Sequence, residues 1–180
     1  MKKLILLLAV GLFLSCEKEM VQDQNQEALV SKRATEISSA GATQISGVGF
    51  FATADECDDS RGAGSAYAVR MTGDLEGCLY VFIDDFECSP SGTYRETGRE
   101  FFVGTYKGDP GTFWTDYKFE GKYEGCPLNG EPLGLEIFGR CQHPVIEDSG
   151  TEVFEGVSGR MDFKDDIDAG NFPYRGHFRY

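Results

Sequence analysis

The clearest order in the chain is alternation. In "FWTDYKFEGKYEG", Phe113, Thr115, Tyr117, Phe119 and Tyr123 fall on one side, while Asp116, Lys118, Glu120, Lys122 and Glu124 fall on the other. Trp114 alone departs, lying on the charged side. A period of two is the signature of a half-buried strand. The C-terminus repeats it, with Phe172, Tyr174, Phe178 and Tyr180 set against Arg175, His177 and Arg179. Further strands are predicted in "ISGVGFFAT", "SAYAVRM", "CLYVFI", "EFFVGTY", "LGLEIFGR" and "VSGRMDF". Turns are marked by "TGDLEG", "KGDPG", "PLNGEP" and "DDIDAGN". No helical stripe competes with this pattern. About eight strands in this length predict an all-β domain over residues 45–180, a closed antiparallel barrel or a sandwich. Closure has the advantage of removing exposed sheet edges.

The first 44 residues read differently. Met1-Lys2-Lys3 is a positive start, followed by the apolar run Leu4 to Leu14. As a helix that run rises about 16 Å, well short of the ~30 Å hydrocarbon core of a bilayer. Residues 1–15 are therefore expected to be a secretory signal peptide. The run ends in "FLSC", Phe13 to Cys16, which resembles a bacterial lipobox: a small residue precedes a cysteine whose sulfur takes lipid. Glu17 to Gly49 contains no Phe, Tyr or Trp and is rich in Gln, Glu, Ser, Lys and Ala. With so little to bury, residues 16–44 are expected to form a disordered tether reaching on the order of 30 Å. The implied address is the bacterial cell envelope, at the outer membrane, with the membrane engaged through the lipid anchor.

Charge narrows the partners. The formal net charge is −13, and loss of Lys2 and Lys3 with the leader takes it to −15. Such a surface repels phosphate backbones, so nucleic acid is not an expected partner.

The segment "HPVIEDSGTEVFEGVSGRMDF" resembles the glycine-rich motif of allene oxide cyclase-like and dirigent-like barrels. Ile146, Gly150, Thr151, Phe154, Gly156 and Gly159 occupy comparable places. The resemblance implies an eight-stranded calycin-like β-barrel in which glycines permit a bend and the Phe plugs one end. It does not bring a function with it.

Five cysteines follow Cys16: Cys57, Cys78, Cys88, Cys126 and Cys141. Export favours two disulfides and one odd thiol. Cys126 and Cys141 flank "PLNGEPLG", and Cys78 and Cys88 bracket a strand and a turn. These four are the candidate disulfide residues, although about fifteen pairings are open. An unlipidated Cys16 would make the set even. "CQH" places Cys141 and His143 on one face of a strand, where a nucleophilic pair competes with a disulfide cysteine beside a surface His. His177 reads as part of a solvated face. Asp162, Asp165, Asp166 and Asp168 offer oxygens to a hard cation but lack the spacing of a calcium loop, so no metal or cofactor is expected. "GAGSAY" lacks the helix that phosphate binding needs, and no hydrolase or dinucleotide motif occurs.

Tyr117, Phe119, Tyr123, Phe172 and Tyr174 are the candidate pocket, set against the alternative that they fill the core. The expected role is a non-catalytic binding or interaction module for a small apolar ligand or a surface protein partner. The rival is a cyclase or isomerase acting in the lumen. The lumen discriminates: an open cavity with a buried carboxylate or His in apolar walls favours the enzyme, and a filled core leaves only surface interaction. Mass spectrometry of protein recovered from its native membrane is expected to yield an acylated Cys16 peptide; a free or disulfide-bonded Cys16 would overturn the anchor.

Overall fold

The computed structural model describes residues 41–127 and 130–180. The expected signal peptide, Cys16 and the expected tether lie outside the described residues, apart from the last few positions assigned to the tether. Nine strands follow in order: β1 (Thr43–Phe51), β2 (Tyr67–Gly73), β3 (Leu75–Cys88), β4 (Thr93–Tyr106), β5 (Asp109–Lys122), β6 (Phe138–Pro144), β7 (Thr151–Glu152), β8 (Ser158–Lys164) and β9 (Phe172–Arg179). A short 3₁₀ turn at Ser60–Gly62 precedes β2, and no described residue is α-helical.

All pairings are antiparallel, and the sheet order is β4-β3-β2-β1-β9-β8-β6-β5. β4 also pairs with β5 from Thr93↔Lys122 to Tyr106↔Asp109, which closes the sheet into an eight-stranded barrel. β7 is a two-residue rider on β5. Each of the eight alternating segments of the sequence supplies one barrel strand. Boundaries shift: "LGLEIFGR" contributes only from Phe138, because Leu133 to Ile137 run across the barrel rim outside the ladder.

The alternation sorts inside from outside. Phe113, Thr115 and Tyr117 are buried, and Asp116 and Lys118 are exposed. Trp114 lies outward, stacked on Phe101 at 4.6 Å, with the Arg99 guanidinium 5.8 Å from its ring. The outer face also carries the ion pairs Arg95–Glu87, Arg95–Glu120 and Arg140–Glu120. A barrel with charges outside and rings inside is built to stand in water, the reverse of a lipid-facing barrel.

One end of the barrel is packed shut. Phe154 is fully buried against Phe102, Phe113, Tyr106 and Phe178, with ring centroids 4.8 to 6.3 Å away. Gly150 gives it room, since a Cβ there would sit 1.8 Å from the Phe154 carbonyl oxygen. Tyr174 also belongs to this packing. Its hydroxyl accepts from the Leu75 amide at 3.0 Å and donates to the Thr72 carbonyl at 3.3 Å. The ring reaches there because Gly47 leaves space; a Cβ at Gly47 would lie 2.5 Å from that hydroxyl.

The disulfides are Cys57–Cys78 and Cys88–Cys126, each with Cα atoms 5.8 Å apart, a separation that suits a bridge. Two expectations are thereby corrected. Cys78 and Cys88 cannot meet, because β3 runs extended between them and ten residues span about 33 Å. Cys141 is a buried free thiol, since it sits on the inward face of β6. Its proposed partner Cys126 is instead held at the outer end of β3. Phe154→Ala is expected to lower unfolding free energy in urea by about 3–5 kcal/mol, the cost of emptying a packed aromatic site; a loss under 1 kcal/mol would deny Phe154 its plugging role.

Candidate functional site

Away from the Phe154 end the lumen is open. A cavity of about 410 Å³ extends into it, within the range of small-molecule sites. Phe51, Tyr67 and Pro132 stand at its exposed edge, and Val69, Leu79, Val81 and Phe163 form apolar wall inside. Tyr117, Phe119, Tyr123 and Phe172 line the cavity as well. Tyr174 does not, being spent on the Leu75 and Thr72 hydrogen bonds.

Two carboxylates enter this wall from β4. The inward positions of "YRETGREFF" are Tyr94, Glu96, Gly98, Glu100 and Phe102, so period two carries both glutamates inside. Glu96 and Glu100 are 7 % and 3 % exposed. Buried carboxylates need donors, and β4 and β5 supply them. Tyr94 donates to Glu96 Oε2 at 2.5 Å and Tyr117 donates to Glu96 Oε1 at 2.7 Å. Burial, then Glu96 itself, pushes both tyrosine hydroxyls far up, so they remain protonated donors. Thr115 donates to Glu100 Oε2 at 2.9 Å, and His143 Nδ1 makes a short hydrogen bond to the same oxygen.

His143 is 3 % exposed, its ring held between Tyr117 at 6.2 Å and Phe163 at 4.6 Å. With Oε2 of Glu100 acting as acceptor, Nδ1 carries a proton. Nε2 is buried without a hydrogen-bond partner among the described residues. The expectation of a surface histidine is thus corrected: three positions on from Arg140, His143 falls on the inward parity of β6. Cys141 shares that face and lines the cavity. Burial pushes its thiol up, followed by the nearby Glu100, Asp165 and Glu96, and the His143 Nδ1 is committed to Glu100. A nucleophilic thiolate is disfavoured on both counts.

A second acidic pair stands near the rim. A Cβ added at Gly139 would come within 2.1 Å of Glu136 Oε1 and 2.3 Å of Asp165 Oδ2, so the two carboxyl groups converge over that glycine. Burial first, and then Asp165, pushes the Glu136 carboxyl up to about 7, while Tyr123 opposes the shift; Asp165 is raised by burial. Tyr123 itself is pushed up to about 12, chiefly by burial. Glu136 sits on the segment after β5 that the Cys88–Cys126 bridge ties to the end of β3.

The other sequence candidates disperse. Asp162 faces outward onto Arg160 at 2.8 Å, and Asp166 accepts from the Ala169 amide in a turn. They do not converge with Asp165, and no group of three or more potential ligands able to hold a metal occurs among the described residues. His177 pairs across the ladder with Gln44 and Arg160 on the outward side. Glu96, Glu100 and Glu136 were missed by motif reasoning. The first two were accessible to it, had the alternation of "EFFVGTY" been followed upstream to Tyr94.

Compared with family models, curated proteins and solved structures, the chain matches none. The site's own chemistry is what remains to argue from.

Because the Glu136 carboxyl is raised, its contribution to stability is present at acid pH and fades as pH rises through 7. Between pH 6 and 8 the wild type is expected to lose stability relative to Glu136→Gln. Carbon-13 NMR should show Glu136 titrating near 7, and moving only part-way down in Asp165→Asn because burial is the larger cause. An ordinary carboxylate midpoint in the wild type would refute the pair.

Proposed function

We propose that this chain is a lipid-anchored envelope protein whose barrel captures a small, largely apolar molecule in its lumen. The observation that supports this reading is the 410 Å³ cavity itself. An eight-stranded barrel has room to pack its interior completely, and the Phe154 end does so. At the other end aromatic rings stand around open space, which is costly unless something fills it. The lipobox-like Cys16 and the aromatic-free segment after it support placing the barrel at a membrane surface.

The rival reading, proton-transfer catalysis in the lumen, has one specific support. The Glu100–His143 pair has the arrangement of an oriented general base, with Nε2 unpaired. Its signature is solvent deuterium entering the captured ligand in D₂O and lost in His143→Asn. A ligand released unlabelled leaves capture as the sole role.

Capture is tested with N-phenyl-1-naphthylamine, a neutral dye that brightens in apolar surroundings. The mature chain is used as Cys16→Ser, so that no acyl group competes for the dye. Saturable binding with Kd on the order of 10 μM is expected, weakened at least about tenfold by Val69→Trp, which fills the lumen. Leu79→Phe reads the same effect should Val69→Trp fail to fold. Absence of saturable binding would overturn lumen capture.

A further inference from the structure

Resting on lumen capture, we infer that the ligand is a small organic cation with an apolar body, an aryl or alkyl amine whose ammonium group enters first. The titratable groups lining the cavity are predominantly acidic. Glu96, Glu100, Glu136 and Asp165 contribute four carboxyls and His143 one imidazole, and no Lys or Arg lies among the described residues that line it. The rest of the wall is largely aromatic, including Tyr67, Phe119 and Phe172. Carboxylate oxygens beside the faces of electron-rich rings are the chemistry that takes an ammonium out of water.

The buried polar groups ask for the same guest. His143 is 3 % exposed, with Nδ1 bonded to Glu100 and Nε2 without a hydrogen-bond partner among the described residues, so one imidazole stands against four carboxyls at this wall. Buried carboxylates with too little positive charge beside them are costly, and a cation removes that cost. A carboxylate or phosphate ligand fails here, because it brings acceptors to acceptors and negative charge to carboxylates. A neutral alcohol brings one hydrogen but no charge. An ammonium brings up to three hydrogens and the compensating charge. The formal charge of −13 also draws cations toward the chain before contact.

The mouth adds a pH response. Glu136 faces Asp165 and Tyr123, with His143 acting on Asp165 from β6. The carboxyl pair gains negative charge as pH rises through about 7, so amine uptake strengthens from pH 6 to pH 8.

The test is displacement of N-phenyl-1-naphthylamine from the Cys16→Ser chain by three near-isosteres: 2-phenylethylamine, 2-phenylethanol and phenylacetate. At pH 7.5 the amine is expected to bind at least about tenfold tighter than the alcohol, with phenylacetate weakest. Glu96→Gln and, separately, Glu100→Gln should shrink the amine's advantage over the alcohol to below threefold. Asp116→Asn, on the outer face, should keep the wild-type ratio. If the alcohol equals or exceeds the amine, or if none of the three displaces the bound dye, the amine assignment is overturned while capture stands. If the dye itself never binds, capture falls and the amine assignment falls with it.

Discussion

Closure of the sheet through the β4–β5 ladder is the constraint on which the molecule depends. In a closed barrel there is no edge to slide along and no face left over. Every second residue of each strand is committed to the lumen, whatever its chemistry. That commitment places Phe102 in the packed end and, two and six positions upstream on the same strand, Glu100 and Glu96 in the open end. The long ladder then fixes which residues can answer them. Thr115 lies directly across from Glu100, and Tyr117 sits two residues farther along β5.

The two halves of the lumen are therefore solved by different physics. At the Phe154 end, rings meet rings, and the Tyr174 hydroxyl is spent on bonds to backbone. Packing of that kind is worth several kcal/mol per large side chain and demands nothing further. At the open end the carboxylates are met by Tyr94, Tyr117, Thr115 and His143. A buried polar network is stabilising only when every member is satisfied, and it imposes geometry when it is. Among the described residues that line the cavity it is satisfied except at His143 Nε2 and Glu136 Oε1. Both exceptions fall where the cavity is, which makes the unpaired atoms a property of the site and not a defect of the fold.

How much of this was legible in the sequence depends on which residues obey one rule at a time. Phe113, Thr115, Tyr117 and Phe119 against Asp116 and Lys118 satisfy alternation and polarity together, so strand, face and fold follow from them. Glu96 and Glu100 obey alternation and violate polarity. Reading "charged" as "outside" sends them to the wrong face, although Tyr94 and Phe102 on the same parity pull them in. His143 fails for the same reason. Cysteine pairing fails for another: nearness along the chain favours Cys126 with Cys141, but the bridges join points that only the barrel brings together, 21 and 38 residues apart. Tyr174 was placed in the pocket because its parity is right, and parity does not reveal that Gly47 opens a slot that takes the ring elsewhere.

The same logic bears on what the lumen selects. Shape alone is permissive, since rings around an open space accept many apolar bodies. Sign is less permissive. Bringing a charge into a low-dielectric cavity is favourable only where opposite charge is already fixed. Here the fixed charge is carboxylate, held in place by phenols and a threonine that cannot follow the guest out. At the rim the Glu136–Asp165 pair holds a proton that a cation can replace. A guest that displaces that proton gains the attraction of both carboxylates, while a neutral guest leaves the proton where it is. On the proposed reading, selectivity for charge rests on groups that strand parity buries before any ligand is considered.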